Sequence, residues 1–206
     1  MRTLFDDERL VVLEKDAGVT SEEAAAACGL RLVHRIDRET SGLLMGARDA
    51  RTVTRMQRAL RAGLVKRVYT FVAQGVVTAG RRETVLVRDR GDGLRGTPAD
   101  ISAARVGKPA ALEVLHCEVW AEGRATRGEA HLVTGRTHQI RIQLAEEGHP
   151  IVGERIYVRD ARARGQALLE SPRLLLHATE LSFVHPSTKK LTVVRSAVPA
   201  RFFARV

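Results

Sequence analysis

The sequence predicts an α+β fold with a mixed, largely antiparallel bent sheet and flanking helices and loops. Three observations predict it. Short apolar or alternating runs outnumber helical ones, few of these runs are joined by a helical crossover, and two pairs of runs close across short turns.

Taken in order, Leu10-Val11-Val12-Leu13 reads as a short buried strand that stops at the turn signal Lys15-Asp16-Ala17-Gly18. Ser21-Glu22-Glu23 and the alanines after it read as a short helix up to Gly29. Leu43-Leu44-Met45 is a strand, and Asp49 then caps a helix whose Val53, Met56 and Leu60 share one face before Gly63. Val65 to Ala73 alternates as a strand carrying Tyr69, and residues 83–88 form a further short candidate.

From Asp89 to Pro109 the glycines and prolines mark a long exposed loop. Residues 111–121 and 126–133 read as antiparallel strands turning at Glu122-Gly123. The spacing of Ile140 and Leu144 predicts a helix over Thr137 to Glu147, ended by Gly148 and Pro150 and capped by Thr137 or its neighbour. Such an entrance, with Arg136 beside it, would offer amides and positive charge to an anion. An arginine-rich loop (Arg155, Arg159, Arg162, Arg164), a strand through Leu174-Leu175-Leu176, and a hairpin of Leu181–Val184 with Leu191–Val194 around His185-Pro186-Ser187-Thr188 complete the chain.

At 206 residues the chain suits one substantial domain, read as residues 9–206 behind a short extension over 1–8. Hydrophobic residues at 44% and charged residues at 28% are globular composition and exclude wholesale disorder. The net charge of +10 comes mostly from arginine, since only five of the 34 basic residues are lysine. Arginine's planar fork binds phosphate and stacks on bases, so the bias fits a polyanionic partner, with codon usage in a GC-rich genome as the plainer source. Cys28 and Cys117 lie in apolar surroundings and read as reduced core thiols, and no cysteine or histidine spacing suggests a zinc site. With no signal peptide and no run near the roughly 18 apolar residues of a membrane span, the expectation is a cytoplasmic protein, monomeric by default.

Chemistry concentrates in two segments. In His34-Arg35-Ile36-Asp37-Arg38-Glu39-Thr40-Ser41-Gly42-Leu43-Leu44, a carboxylate stands between two arginines. Neighbouring positive charge favours the anion, which suits Asp37 to attack carbon or stabilise a cation rather than to act as a general acid. The second segment, Thr134-Gly135-Arg136-Thr137-His138-Gln139-Ile140-Arg141, puts Arg141 on the predicted helix, where an ion pair with Asp37 would hold that acid and keep it charged.

These two segments, with His149-Pro150-Ile151-Val152-Gly153, resemble the RluA family of RNA pseudouridine synthases. The resemblance runs from Leu10 through Gly107-Lys108-Pro109-Ala110 to Leu176-His177-Ala178 and His185-Pro186. It implies a catalytic domain without a separate N-terminal RNA-binding domain, and a reaction that isomerises uridine in ribosomal or transfer RNA with no cofactor or metal. Asp37 matches the catalytic aspartate, which acts at the sugar or at the base. Arg141 matches the arginine paired with it, and Tyr69 the tyrosine that stacks on the target base.

Arg35 resembles the arginine that fills the vacated stack when the nucleotide is extruded, with phosphate contact as its other reading. Arg38 and Arg136 are candidates for RNA contact, and His34 and His138 for scaffold or RNA contact. The chain departs from the family pattern at Lys15-Asp16 in place of Lys-Pro, at Arg67 in place of lysine, at Gln143 in place of histidine and at Gly153-Glu154 in place of Gly-Asp.

Overall fold

The computed structural model describes residues 1–98 and 106–203, which gather into two compact units. One comprises Met1–Thr70 with Leu176–Phe202, and the other is built on Phe71–Leu175. The division falls inside one strand, Val65–Gln74.

The first unit holds β1 (Arg2–Asp6), β2 (Leu10–Lys15), α1 (Ser21–Ala27), β3 (Arg31–Leu32), β4 (Ser41–Ala47), α2 (Ala50–Arg61), the first half of β5 (Val65–Gln74), and, after the other unit, β9 (Leu176–Val184) and β10 (Leu191–Arg195). Its strand order is β1-β2-β4-β9-β5, with β3 on β4 and β10 on β9. β1 with β2, β2 with β4, β3 with β4 and β9 with β10 pair antiparallel, whereas β4 with β9 is parallel and sets Ser41 opposite His177 and Gly42 opposite Ala178. Every residue of β4 is buried, which explains why its sequence is a continuous apolar run rather than an alternation.

Local signals account for the helices. Thr20 and Glu23 form a reciprocal capping box at the start of α1, and the Asp49 side chain accepts from the Thr52 amide to cap α2 as expected. Met56 is buried and Val53 and Leu60 half-buried, on the face turned to β3 and β4. A buried polar chain ties the sheet together: the Ser196 hydroxyl donates to Glu14, so Ser196 accepts from His177 Nε2 (2.9 Å), leaving Nδ1 to accept from the Ser41 hydroxyl (2.6 Å).

The second unit holds the rest of β5, then β6 (Gly80–Leu86), β7 (Lys108–Trp120), β8 (Ala125–Leu132), α3 (Gln139–Glu146) and α4 (Arg159–Ala163), with strand order β5-β8-β7-β6. The β7–β8 hairpin turns at Ala121–Gly123 as its sequence predicts.

Several expectations change. Residues 2–6, read as an extension, form β1, whose ladder to β2 needs no apolar periodicity of its own. The runs at Leu174–Leu176 and Leu181–Val184 are not two strands: Leu174 and Leu175 precede β9, which is continuous from Leu176. The short β3 and α4 have too few residues for a periodic signal, and α4 falls within the expected arginine-rich loop. Within the expected loop from Asp89 to Pro109, residues 99–105 lie outside the described residues. Neither cysteine is core: Cys28 is exposed and Cys117 partly exposed, both as free thiols. Among the described residues no helix is long and apolar enough to cross a membrane.

Candidate active site

In the first unit the segment 33–40 leaves β3 and enters β4 through a turn anchored on both sides of Asp37. Before it, the Ser21 hydroxyl donates to the Ile36 carbonyl (2.9 Å) and accepts from the Ile36 amide (3.1 Å). After it, the Arg38 carbonyl accepts from the Gly18 amide (2.8 Å) and from the Lys15 ammonium (3.2 Å). Lys15 is wholly buried, at 0% exposure, and its ammonium also donates to the Asp16 and Val19 carbonyls (2.9 and 2.7 Å). The Thr40 amide closes the turn onto the Asp37 carbonyl at 3.1 Å. The carboxylate is thus carried on a backbone fixed at both of its neighbours, and the residue is only partly buried.

Tyr69 is 5% exposed on β5. Burial pushes its phenol up to about 12, the Arg67 guanidinium opposes that, and the Asp37 carboxylate adds to it, which places Asp37 within electrostatic reach of the ring. Burial pulls the Arg67 guanidinium below its usual range. Burial first and the Arg67 charge second pull His34 down to about 4, so its imidazole is neutral at pH 7. The His34 Nε2 accepts from the Met45 amide at 3.1 Å, so Nδ1 carries the proton, sealed from solvent although the residue is only half-buried. That arrangement fixes the imidazole against the backbone of β4. Arg35 is exposed and rests on Glu22 at 3.1 Å, an exposed pair worth little and readily released. Arg38 is exposed, and its Nε donates to the Gly18 carbonyl.

In the second unit the Thr134–Arg141 segment forms a knot rather than an open helix entrance. The Thr134 hydroxyl (2.7 Å) and Arg136 amide (3.0 Å) donate to Gln139 Oε1, and Gln139 Nε2 donates to the Ala111 carbonyl (3.0 Å). Helix α3 starts two residues later than expected. His138, in left-handed backbone at φ 58°, is the N-cap without a side-chain cap, and Gln139, Ile140 and Arg141 are buried, so the first turn is not an exposed anion site. His138 Nδ1 pairs with the Tyr157 hydroxyl at 2.7 Å, and the Arg136 Nε donates to the Pro109 carbonyl at 2.9 Å.

Arg141 is 2% exposed and donates from Nε and Nη2 to Glu154 at 2.7 and 2.8 Å, with Cζ 5.6 Å from the Tyr157 ring centre. Burial pushes the Glu154 carboxyl up, but the Arg141 pair and the Arg155 and Ile156 amides outweigh it and hold it below its usual range. Glu154 stands just after Gly153 (φ +82°), where a Cβ would collide with the Arg173 carbonyl. Among the described residues no group of three or more histidine, cysteine or acidic side chains is placed to hold a metal ion.

A family model described as RNA pseudouridylate synthase matches residues 9–146. The chain belongs to the RNA pseudouridine synthase family. It is 30% identical to the "Uncharacterized RNA pseudouridine synthase YhcT" of Bacillus subtilis, over 96% of this chain and 68% of that protein. It is 32% identical to the "Dual-specificity RNA pseudouridine synthase RluA" of Vibrio vulnificus (97% and 83%). Against the "Ribosomal large subunit pseudouridine synthase D" of Neisseria meningitidis serogroup B it is 30% identical over 95% of its own length, and it spans only 58% of that protein. In structure it is similar to "Human RNA Pseudouridylate Synthase Domain Containing 1", with a TM-score of 0.74 at 22% identity over 96% of this chain and 83% of that one, a likeness of fold.

For this member of the pseudouridine synthase family, sequence reasoning finds the Asp37 segment and the Arg141 helix but misses what holds them. Ser21 gives no signal beyond its place at a helix start. Glu154 appears only as a departure from Gly-Asp, and its bidentate grip on Arg141 needed the chain to turn back 13 residues later.

Proposed function

We propose that this chain isomerises specific uridines in structured RNA to pseudouridine, ribosomal RNA being the substrate favoured by the names of its relatives and transfer RNA the second. The observation that carries this reading is the loop held at Ile36 and Arg38 on either side of Asp37, whose carboxylate is within electrostatic reach of Tyr69. A carboxylate meant to react with a bound nucleotide gains from such fixing, because positioning set before binding need not be supplied during the reaction.

The target nucleotide leaves its stack at a cost of a few kcal/mol, and Arg35, released from Glu22, takes the vacated place. Tyr69 stacks on the base, its phenol neutral at working pH. Asp37 acts at the sugar or at the base. The bond from ribose C1′ to N1 breaks, the ring turns, C1′ bonds to C5, the C5 hydrogen leaves as a proton and N1 gains one. The reaction neither adds nor removes atoms, and it calls for no cofactor or metal. The family resemblance gives Arg141 the part of the arginine serving the Asp37 carboxylate. Arg38 and Arg136 are assigned to RNA contact, and His138 to supporting the Arg136 turn.

The test is a transcriptome-wide pseudouridine map of cells lacking the gene, complemented with wild type or with Asp37→Asn. Wild type is expected to restore sites that the variant, equally stable, does not. A map unchanged by deletion, or restored by the variant, overturns the reading in favour of a noncatalytic RNA-binding protein. Loss of activity on adding a chelator would point instead to a metal-dependent nuclease.

A further inference from the structure

Helix α2 carries Arg51, Arg55, Arg58 and Arg61 and no acidic residue. At roughly 100° per residue, Arg51, Arg55 and Arg58 fall within about 60° of arc, with Arg61 at the edge of the same stripe. All four are exposed, and among the described residues no carboxylate or hydrogen-bond acceptor engages their side chains. Several other arginines of this unit rest on carboxylates: Arg9 pairs with Asp49, Arg48 with Asp6 and Arg195 with Glu180. The acid nearest α2, Asp49, is already taken by Thr52 and Arg9.

This arrangement serves the helix that carries it only in part. Arg58 and Arg61 in the last turn complement the helix dipole, but like charges three and four residues apart repel, and Arg51 in the first turn opposes the dipole. By contrast, α1 places Glu22 and Glu23 in its first turn. A helix keeping only unneutralised arginines on one face is suited to an anion that arrives from outside. Neighbouring arginines sit about 5–6 Å apart at Cβ, close to the step from one phosphate to the next along a nucleic-acid strand. The face exposes Thr54 between the arginines, while Met56 is buried against the sheet, so it offers no apolar wedge for a bilayer.

We propose that the α2 stripe is an RNA-docking surface that binds the phosphate backbone of substrate RNA away from the reacting uridine, with Arg51, Arg55 and Arg58 as its phosphate contacts. It rests on the pseudouridine synthase reading and adds a site for the RNA that flanks the target. Phosphate contacts carry no base information, so this surface contributes affinity and orientation rather than choice of uridine.

The experiment measures binding of the full chain to in vitro transcripts of large-subunit ribosomal RNA and transfer RNA across a salt series, and to phosphatidylglycerol vesicles, for wild type and R51Q/R55Q/R58Q, with pseudouridine formation by wild type on both transcripts followed in parallel. The triple variant is expected to melt no lower than wild type, to bind at least about tenfold more weakly at low salt, and to lose about 2 to 3 from its log–log salt slope. If wild type forms pseudouridine and the variant's slope is unchanged, the docking surface is wrong. If the slope falls but wild type modifies no RNA, the catalytic reading fails and the docking surface stands. If the variant keeps its RNA affinity but loses binding to phosphatidylglycerol vesicles, the stripe serves a membrane and the proposal is overturned.

Discussion

Arg141 and Glu154 form a buried two-point ion pair, with both nitrogen-to-oxygen distances under 3 Å, on a chain that turns back to bring them together. The Arg141 head group is therefore oriented by a residue outside both segments that first drew attention, and its geometry is inherited from the Gly153 turn.

Removing that carboxylate's charge leaves a buried guanidinium poorly balanced. Glu154→Gln is expected to cost about 3–5 kcal/mol in chemical denaturation and to abolish pseudouridine formation, whereas Glu154→Asp, the residue the family pattern places there, should keep measurable activity. Because folding holds the Glu154 carboxyl below its ordinary 4.5, its stabilisation is present above that pH and fades as pH falls further. Wild type, but not the glutamine variant, should show this acid loss in pH-dependent melting. Full activity in the glutamine variant would refute the role.

Tyr69 supplies an alkaline signature. Its phenol is raised from the ordinary 10.0 to about 12, so the folded state keeps the proton longer than the unfolded chain does. The resulting stabilisation is complete below pH 10 and is lost as pH climbs toward 12, an amount of about 2–3 kcal/mol. In a Tyr157→Phe background, ultraviolet titration should show a single phenol ionising well above pH 10. A transition near 10 in the folded protein would mean that Tyr69 is not enclosed.

His34 makes the opposite prediction. Folding lowers it from 6.5 to about 4, so the unfolded chain binds the proton first as pH falls. Stability should drop by about 2–3 kcal/mol between pH 6.5 and 4, and His34→Gln should flatten that limb. Proton NMR of the imidazole should show the neutral ring, with the proton on Nδ1, throughout pH 6–8.

Gly42 sits at φ +107° where β4 meets β9, and a Cβ there would collide with the Ala178 backbone. Gly42→Ala combines that clash with left-handed strain, for an expected loss of at least about 3 kcal/mol. Since Gly42 follows the Asp37 turn by five residues, soluble variant protein should also lose activity out of proportion to its unfolded fraction. A variant as stable and as active as wild type would disprove this account of the strand pairing.

The sequence by itself determined the fold class, most strands, both well-capped helices and the two segments that carry chemistry, because these depend on periodicity, capping and spacing over a few residues. Tertiary structure alone decided that residues 2–6 are a strand, that Leu176 begins one long strand, and that the entrance to α3 is closed by Gln139 rather than open to an anion. It alone supplied Ser21, Lys15 and Glu154 as the residues that hold Ile36, Arg38 and Arg141. The physical reason is the same each time. A ladder partner or the counterion of a buried charge is chosen by which distant segments folding brings within 3 Å or so, and no local pattern records that choice.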